Sequence, residues 1–252
     1  MRVWFTLLRR DLGGYLMSLT GYVIITVVAF LLGVGFTLVL MAYNGDSLTV
    51  PLTELFYSTL FFWLILLVAT PVITMRLFAQ ERFSGTYETL MTCPVSDVAV
   101  VLAKYTAGFL FYVLMWLPLV GCLLVIHRFT GGAAVFDWWP VASTSLGILL
   151  MGALYVAIGC LASAVTRSQI VAAILSFAMG LTLFLLSFAR YSVGDHRGWL
   201  TDAASYVSMI EHMEDFVRGV VDTRPVTFYL SLTVFFLFLT VKVVEARRWR
   251  NS

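Results

Sequence analysis

Charged side chains are scarce: Asp, Glu, Lys and Arg make up 12% of the 252 residues, while 61% are hydrophobic. Soluble domains carry about 25% charged residues, so this chain has too little polar surface to cover itself in water. A soluble enzyme is thereby excluded. A net charge of +2, with no Lys/Arg-rich block interleaved with aromatics away from the terminal flanks, leaves no footprint for a nucleic-acid partner. Cysteine is equally sparse. Cys93, Cys122 and Cys160 are odd in number and show no CxxC spacing, so neither a disulfide framework nor a zinc site is indicated. No GxxxxGK[ST] phosphate loop occurs, and any nucleotide hydrolysis that drives the protein must therefore sit on another chain.

What is present is apolar and arranged in long runs, with a mean hydropathy of +0.95. Six stretches free of charge run over 12–45, 55–75, 105–126, 138–166, 168–189 and 225–241. A spanning helix needs about 20 predominantly apolar residues, which predicts helices near 21–42, 56–75, 105–126, 142–165, 169–188 and 225–244. Backbone polar groups inside lipid must be satisfied within their own segment, so runs of this length are helices rather than strands. The expected fold is an all-α integral membrane protein with six transmembrane helices in one domain, 1–252. Arg2, Arg9, Arg10 and Asp11 precede the first run, which is too long for a signal-peptide core and is expected to stay uncleaved.

An even number of spans puts both termini on one side, and basic residues choose the side. With cytoplasmic termini, eleven basic residues lie inside: Arg2, Arg9, Arg10, Arg76, Arg82, Lys104, Arg167, Lys242, Arg247, Arg248 and Arg250. Outside lie only five, Arg128, Arg190, Arg197, Arg218 and Arg224. The expectation is a multi-pass protein with both termini and the 76–104 segment in the cytoplasm.

The segments between the spans carry patterns of their own. Phe5, Leu8, Leu12, Tyr15, Leu16 and Leu19 recur at helical spacing opposite Arg2, Thr6, Arg9, Arg10 and Gly13, which predicts an amphipathic interfacial helix. In 76–104, mixed charges surround a Ser84-Gly85 turn and Pro94, the marks of a soluble connector to which something docks. In 190–224, Val207, Ile210, Met213, Val217 and Val220 or Val221 share a face, with Glu211, Glu214 and Arg218 off it. This predicts a short external helix lying on the membrane or on the bundle.

No Asp or Glu falls within any expected span, and ion-coupled carriers ordinarily need ionisable residues there. His127, His196 and His212 fall at or beyond the expected outer edge, with Met209 and Met213 flanking the last. His and Met can ligate copper or iron, but Met on an amphipathic face is ordinarily packing, so no metal and no cofactor is expected. Gly159 with Ser163, and Ala172 with Ser176 and Gly180, are small residues at four-residue spacing, suited to close helix approach. Trp138 and Trp139, and Trp4 and Trp249, suit interfacial belts.

The segment after the second run resembles the corresponding part of the ABC type 2 permeases, the membrane subunits of ATP-driven exporters. The likeness rests on Glu81, then Gly85-Thr86-x-Glu88-x-Leu90, then Pro94 and Lys104, with Arg76 before them and Arg82 within. Gln80 departs from the pattern, since many relatives carry a second Glu there. Ser208, His212, Phe216, Arg218, Gly219, Asp222 and Arg224 make the last external segment similar to the gliding-motility-associated subgroup, and the likeness extends over nearly the whole chain.

This resemblance implies a division of labour. Arg76, Glu81, Arg82, Gly85, Thr86, Glu88, Pro94 and Lys104 would form a cytoplasmic coupling segment docked on a separate ATPase, present in two copies. A second permease, the same chain or another, would face this one. The external segment with His212, Phe216, Arg218, Gly219 and Asp222 would close the outer end of the path. The implied protein is a permease of the bacterial cytoplasmic (inner) membrane that catalyses no chemistry itself and exports an unspecified substrate. The rival reading is a subunit that transmits ATP-driven force to envelope or gliding-motility machinery without transport. A membrane enzyme or haem-handling protein would need facing ligands or carboxylates within the spans, which are missing.

Overall fold

The computed structural model describes residues 2–43, 52–57, 59–86, 95–129, 138–188 and 206–251. All regular structure among them is helical: α1 (Arg2–Leu16), α2 (Leu19–Tyr43), α3 (Leu52–Tyr57), α4 (Leu60–Thr74), α5 (Ala79–Phe83), α6 (Asp97–Met115), α7 (Leu117–Phe129), α8 (Trp138–Val165), α9 (Gln169–Leu186), α10 (Met209–Val217) and α11 (Thr223–Asn251). Six helical stretches are long and apolar enough to cross a membrane: Leu19–Ala42, Leu60–Phe83, Asp97–Val125, Trp138–Val165, Gln169–Leu186 and Thr223–Arg247.

Two of these stretches are interrupted, each beside a proline. Pro71 lies in the last turn of α4, which ends at Thr74; proline has no N–H to donate, so the ladder is weakened there. Thr70 and Thr74 turn their hydroxyls back onto the carbonyls of Leu66 and Thr70. The break between α6 and α7 falls at Trp116, before Pro118, where a kink is expected for the same reason.

The third stretch starts at Asp97, eight positions before the 105 boundary expected from the sequence, and carries Lys104 inside the helix. Charge marks a span boundary only when it needs water, and Lys104 has internal partners. Ser96 fixes the actual start, its hydroxyl accepting from Ala99 N–H at 3.4 Å as an N-cap. The second stretch likewise runs to Phe83 and includes Glu81, so an acid does occur at the end of a span.

Helix α8 is the axis of the bundle. It packs against α11, α9, α10, α4 and α6, and 78% of its most apolar window is buried, against 17% for α9. Its glycines make the approach possible: a Cβ at Gly152 would collide with the Tyr112 ring, and one at Gly159 with the Thr74 side chain. On α9 the buried residues are Ala172, Ser176 and Gly180, the small-residue stripe expected from the sequence. Tyr155 of α8 crosses it and donates to the Gly180 carbonyl at 3.1 Å. The remaining face of α9, with Ile170, Ile174 and Leu185, is exposed, as are Val23, Val27 and Phe30 of α2 and Val234, Phe235 and Phe238 of α11. Such apolar faces suit a hydrocarbon solvent.

Because the spans alternate in direction, α1 and α5 lie at one end of the bundle, and α3 and α10 at the other.

Candidate functional site

At the α1 end, helix α1 does not lie free of the bundle. Leu8 and Tyr15 are buried, while Phe5, Leu16 and Leu19 of the same apolar pattern stay exposed. Tyr15 stacks on Phe111 of α6 with centroids 4.9 Å apart and donates to the Ile73 carbonyl at 2.8 Å. Burial, with help from Asp11, pushes its hydroxyl pKa upward, so it acts as a neutral donor.

The break after α4 is held from α8. The Ser163 hydroxyl accepts from Phe78 N–H at 3.0 Å and Ala79 N–H at 3.1 Å, and donates to the Met75 carbonyl at 3.1 Å. One side chain thus satisfies backbone groups on both sides of the turn and sets the direction of α5. The sequence pattern assigned Ser163 to packing alone. Its bonding role depends on a helix break that no residue of α8 announces.

On α5, the side chain of Glu81 points into the protein. Its Oε1 accepts from Arg10 Nη2 at 2.7 Å and lies 2.9 Å from Lys104 Nζ. Asp11 completes the cluster, 2.8 Å from Arg10 and 3.4 Å from Lys104. Lys104 is only 4% exposed and lies over the Phe78 ring. Four charges on α1, α5 and α6 are therefore locked together, and each ammonium or guanidinium compensates a carboxylate that would otherwise be costly to bury. Burial works against the charge on Arg10, but Asp11 and Glu81 outweigh it and raise its pKa.

The other expected docking residues separate into two groups. Arg76 donates from Nη1 to Thr20 at 2.7 Å, and Arg82 to the Thr166 carbonyl at 3.4 Å. Gly85 has φ +74, a left-handed turn that glycine adopts freely, and Thr86 lies 2.8 Å from Ser84 across it. Phe83, Ser84, Gly85 and Thr86 form the exposed tip, with Phe83 81% exposed. Glu88 and Pro94 lie outside the described residues.

At the opposite end, α10 is sewn to its neighbours by neutral hydrogen bonds. Ser208 caps it, accepting from Glu211 N–H at 3.4 Å, while Ser187 accepts from Met209 N–H at 2.9 Å. Ser143 donates to the Phe216 carbonyl at 2.5 Å, Trp139 to Gly219 at 2.7 Å and Tyr57 to Ile210 at 2.9 Å. The helix buries Met209, His212, Met213, Phe216 and Val217. That face is rotated from the one expected, which included Ile210 and Val220 or Val221; both valines are exposed.

His212 meets the rings of Phe228 and Tyr229 edge-to-face, with centroids 5.5 and 5.6 Å away. Burial lowers its pKa to about 4, with Asp222 pulling the other way, so the ring is neutral at physiological pH. Gly219 has φ +84, and a Cβ there would come within 2.9 Å of Trp139. Arg218 reaches Glu54 at 3.9 Å, and Asp222 accepts from Arg224 N–H at 3.3 Å. Among the described residues, no group of three or more His, Cys, Asp or Glu is placed to hold a metal ion.

A comparison with known families matches residues 46–243 to a family described as ABC-2 family transporter protein. No curated protein matches the chain significantly. The match begins beyond α2 and takes in the other spans, the last as far as residue 243, with Glu81 and Lys104 of the charged cluster and the whole of α10, but not Arg10 and Asp11 of α1. A multi-pass bundle whose sequence fits that family over most of its length is a transmembrane component: the chain belongs to the ABC-2 family of transporter membrane proteins.

Proposed function

We propose that this chain is the permease subunit of an ATP-driven export complex in a bacterial cytoplasmic membrane. It works with two copies of a separate ATPase and a second permease, and its α1 end faces the cytoplasm. The observation that carries the reading is the construction of the α1 end. The exposed Phe83–Thr86 tip projects from a segment whose other side is fixed by Ser163 and the Glu81 cluster. Such a tip offers an aromatic anchor to a partner, and exposed aromatics are favoured at the centres of interfaces. Force applied there passes into α1 and α6 through Glu81, and into α8 through Ser163. A rigid short segment tied to several spans is the kind of element that moves domains as bodies.

In this reading Glu81 works as an internal strut, and contact with the ATPase falls to Phe83, the Ser84–Thr86 turn and Glu88. The α10 helix closes the opposite end of the path, its His212, Phe216 and Gly219 holding it against α8 and α11. The eleven-to-five basic asymmetry supports the orientation. The alternative reading, a force-transmitting subunit of envelope or gliding-motility machinery, uses the same lever without a transported substrate.

The test is co-purification from native membranes in mild detergent. Phe83→Ser is expected to leave the chain inserted but to lose most of the ATPase that travels with the wild type. Cysteines at Ser84 and Val220 are expected to label from opposite sides, Val220 from outside intact cells. Undiminished ATPase recovery with Phe83→Ser, or outside labelling at Ser84, contradicts the proposal.

A further inference from the structure

The two interrupted spans are broken in different ways. At the break after α4 the backbone is tied from α1 and α8: Tyr15 donates to the Ile73 carbonyl, and Ser163 bonds Met75, Phe78 and Ala79. Arg76, within the break, reaches Thr20 of α2. Ile73, Thr74, Phe78 and Ala79 are fully buried. Such an elbow is rigid. The break at Trp116 has no comparable ties among the described residues. Its turn is closed by short local backbone bonds, from Trp116 N–H to the Val113 carbonyl at 3.1 Å and from Leu119 N–H to the Trp116 carbonyl at 3.0 Å. Bonding of this i to i+3 kind in the middle of a long helix marks a hinge or strain, and Pro118 has no N–H to return to Leu114.

The two sides of this joint are also packed differently. Helix α6 is held by α1, α8, α11, α4 and α2, whereas α7 packs chiefly on α2. Leu119 and Leu123 of α7 turn inward, while Leu117, Val120, Leu124 and Val125 are exposed. Between α7 and the bundle axis lies a void of about 10 Å³, bordered by Leu119 with Phe36, Phe62, Thr144, Ile148 and Met213, among others. Thr144 spends its hydroxyl on the Pro140 carbonyl, so this lining is apolar. At its far end α7 touches α8 through His127 and Trp138, edge-to-face with centroids 6.1 Å apart. Separating apolar helix faces inside a bilayer costs packing but no hydration, because lipid chains take the place of the lost neighbours.

We propose that α7 is a hinged leaf: it pivots as a rigid half-helix about Trp116–Pro118, away from α8, and opens the α10 half of the bundle sideways toward the hydrocarbon. Trp116 serves as the pivot because it is itself fixed. It is buried, with its ring 5.7 Å from that of Phe62 on α4 and 6.1 Å from that of Tyr112 on α6. Helix α6 stays in place beneath it, held by its packing and by Lys104 in the charged cluster. The arrangement described is the closed one, with Leu119 and Leu123 against the bundle. The motion belongs to the chain in its membrane and does not rest on the export reading.

The experiment places spin labels on the full chain in lipid nanodiscs, with any subunits that accompany it and diluted with unlabelled chain so that each pair lies within one copy. The labelled chain carries Cys93→Ala, Cys122→Ala and Cys160→Ala. Labels at Val125 and Thr182 report α7 against α9, and labels at Leu110 and Thr182 report α6 against the same reference; all three positions are exposed. Pulsed electron resonance is expected to show a broad or two-peaked distance for the Val125 pair and a single narrow one for the Leu110 pair. Pro118→Ala restores the missing N–H and should collapse the Val125 pair to one narrow distance. Gly121→Ala, where a Cβ meets open space, stiffens α7 without touching the joint and should leave the distribution as it was. Leu119→Ala removes an inward contact and should shift the Val125 pair toward its longer distance, while an unchanged Leu110 pair shows that each variant is folded. A wild-type Val125 pair as narrow as the Leu110 pair overturns the hinge. A spread that persists in Pro118→Ala, or that Gly121→Ala abolishes, overturns its placement at Trp116–Pro118, and a Val125 distance unmoved by Leu119→Ala overturns the closed arrangement.

Discussion

The two ends of this bundle are fastened by different physics. At the α1 end the fastening is ionic: Asp11, Glu81 and Lys104, largely removed from water, and the half-exposed Arg10 hold α1, α5 and α6 together. At the α10 end it is made of neutral donors on backbone carbonyls, from Tyr57, Trp139 and Ser143. Ion pairs tolerate changes in angle and depend strongly on every partner being present. Hydrogen bonds to carbonyls are directional and fail one at a time. The first kind suits an end that must carry a load through changing geometry, and the second an end held in one closed arrangement.

The largest effect that separates the ends is expected from Glu81→Ala. It strips Lys104 of its nearer partner and should lower stability on the order of 2–5 kcal/mol. Adding Lys104→Met should recover most of the loss, because the uncompensated ammonium is then gone. Thermal unfolding of the single and double variants checks this; a double variant no better than the single would show that the cluster is not coupled.

At the other end Gly219→Ala is expected to cost less, about 1–3 kcal/mol, from a left-handed backbone and contact with Trp139. Loss of the Trp139 bond to Gly219 should appear as a change in tryptophan fluorescence, with the α1 end unaffected. A spectrum unchanged from wild type would place Trp139 elsewhere.

A third effect is a pH dependence confined to the α10 end. His212 has its folded pKa lowered to about 4 from an ordinary value near 6.5, so between these values the unfolded chain binds the proton that the folded chain refuses. The contribution of neutral His212 is therefore complete above about pH 6.5 and is lost as the pH falls toward 4. His212→Gln should flatten this part of the stability profile. An unaltered slope would assign it to other groups, but not to Asp215, whose pKa burial raises and whose titration therefore acts with the opposite sign.

The spans were legible because charge spacing follows bilayer thickness, and that signal is strong for α2, α8 and α9. It misleads at Lys104, where charge spacing ends a connector although the helix begins at Asp97. A charge neutralised by Asp11, some ninety residues away in sequence, cannot be told from a solvated one by local pattern. The same blindness made Glu81 look like a surface contact. On α10, counting aliphatic residues selected Ile210 and the valines at 220 and 221, while the buried face is completed by Met209, His212 and Phe216. A neutral imidazole packs edge-to-face with Phe228 and Tyr229 as an aromatic would, which a polar label conceals.

In the proposed coupling, α1 and the 79–86 segment move as one body when the ATPase closes. Spin labels at Arg9 and Ser84, with a third position at Val220 for comparison, allow distances to be measured by pulsed electron resonance in the assembled complex with and without nucleotide. A constant Arg9 to Ser84 distance is expected in both states, with the Ser84 to Val220 distance shifting, and loss of that constancy in Glu81→Ala. An Arg9 to Ser84 distance that changes with nucleotide in the wild type would contradict it.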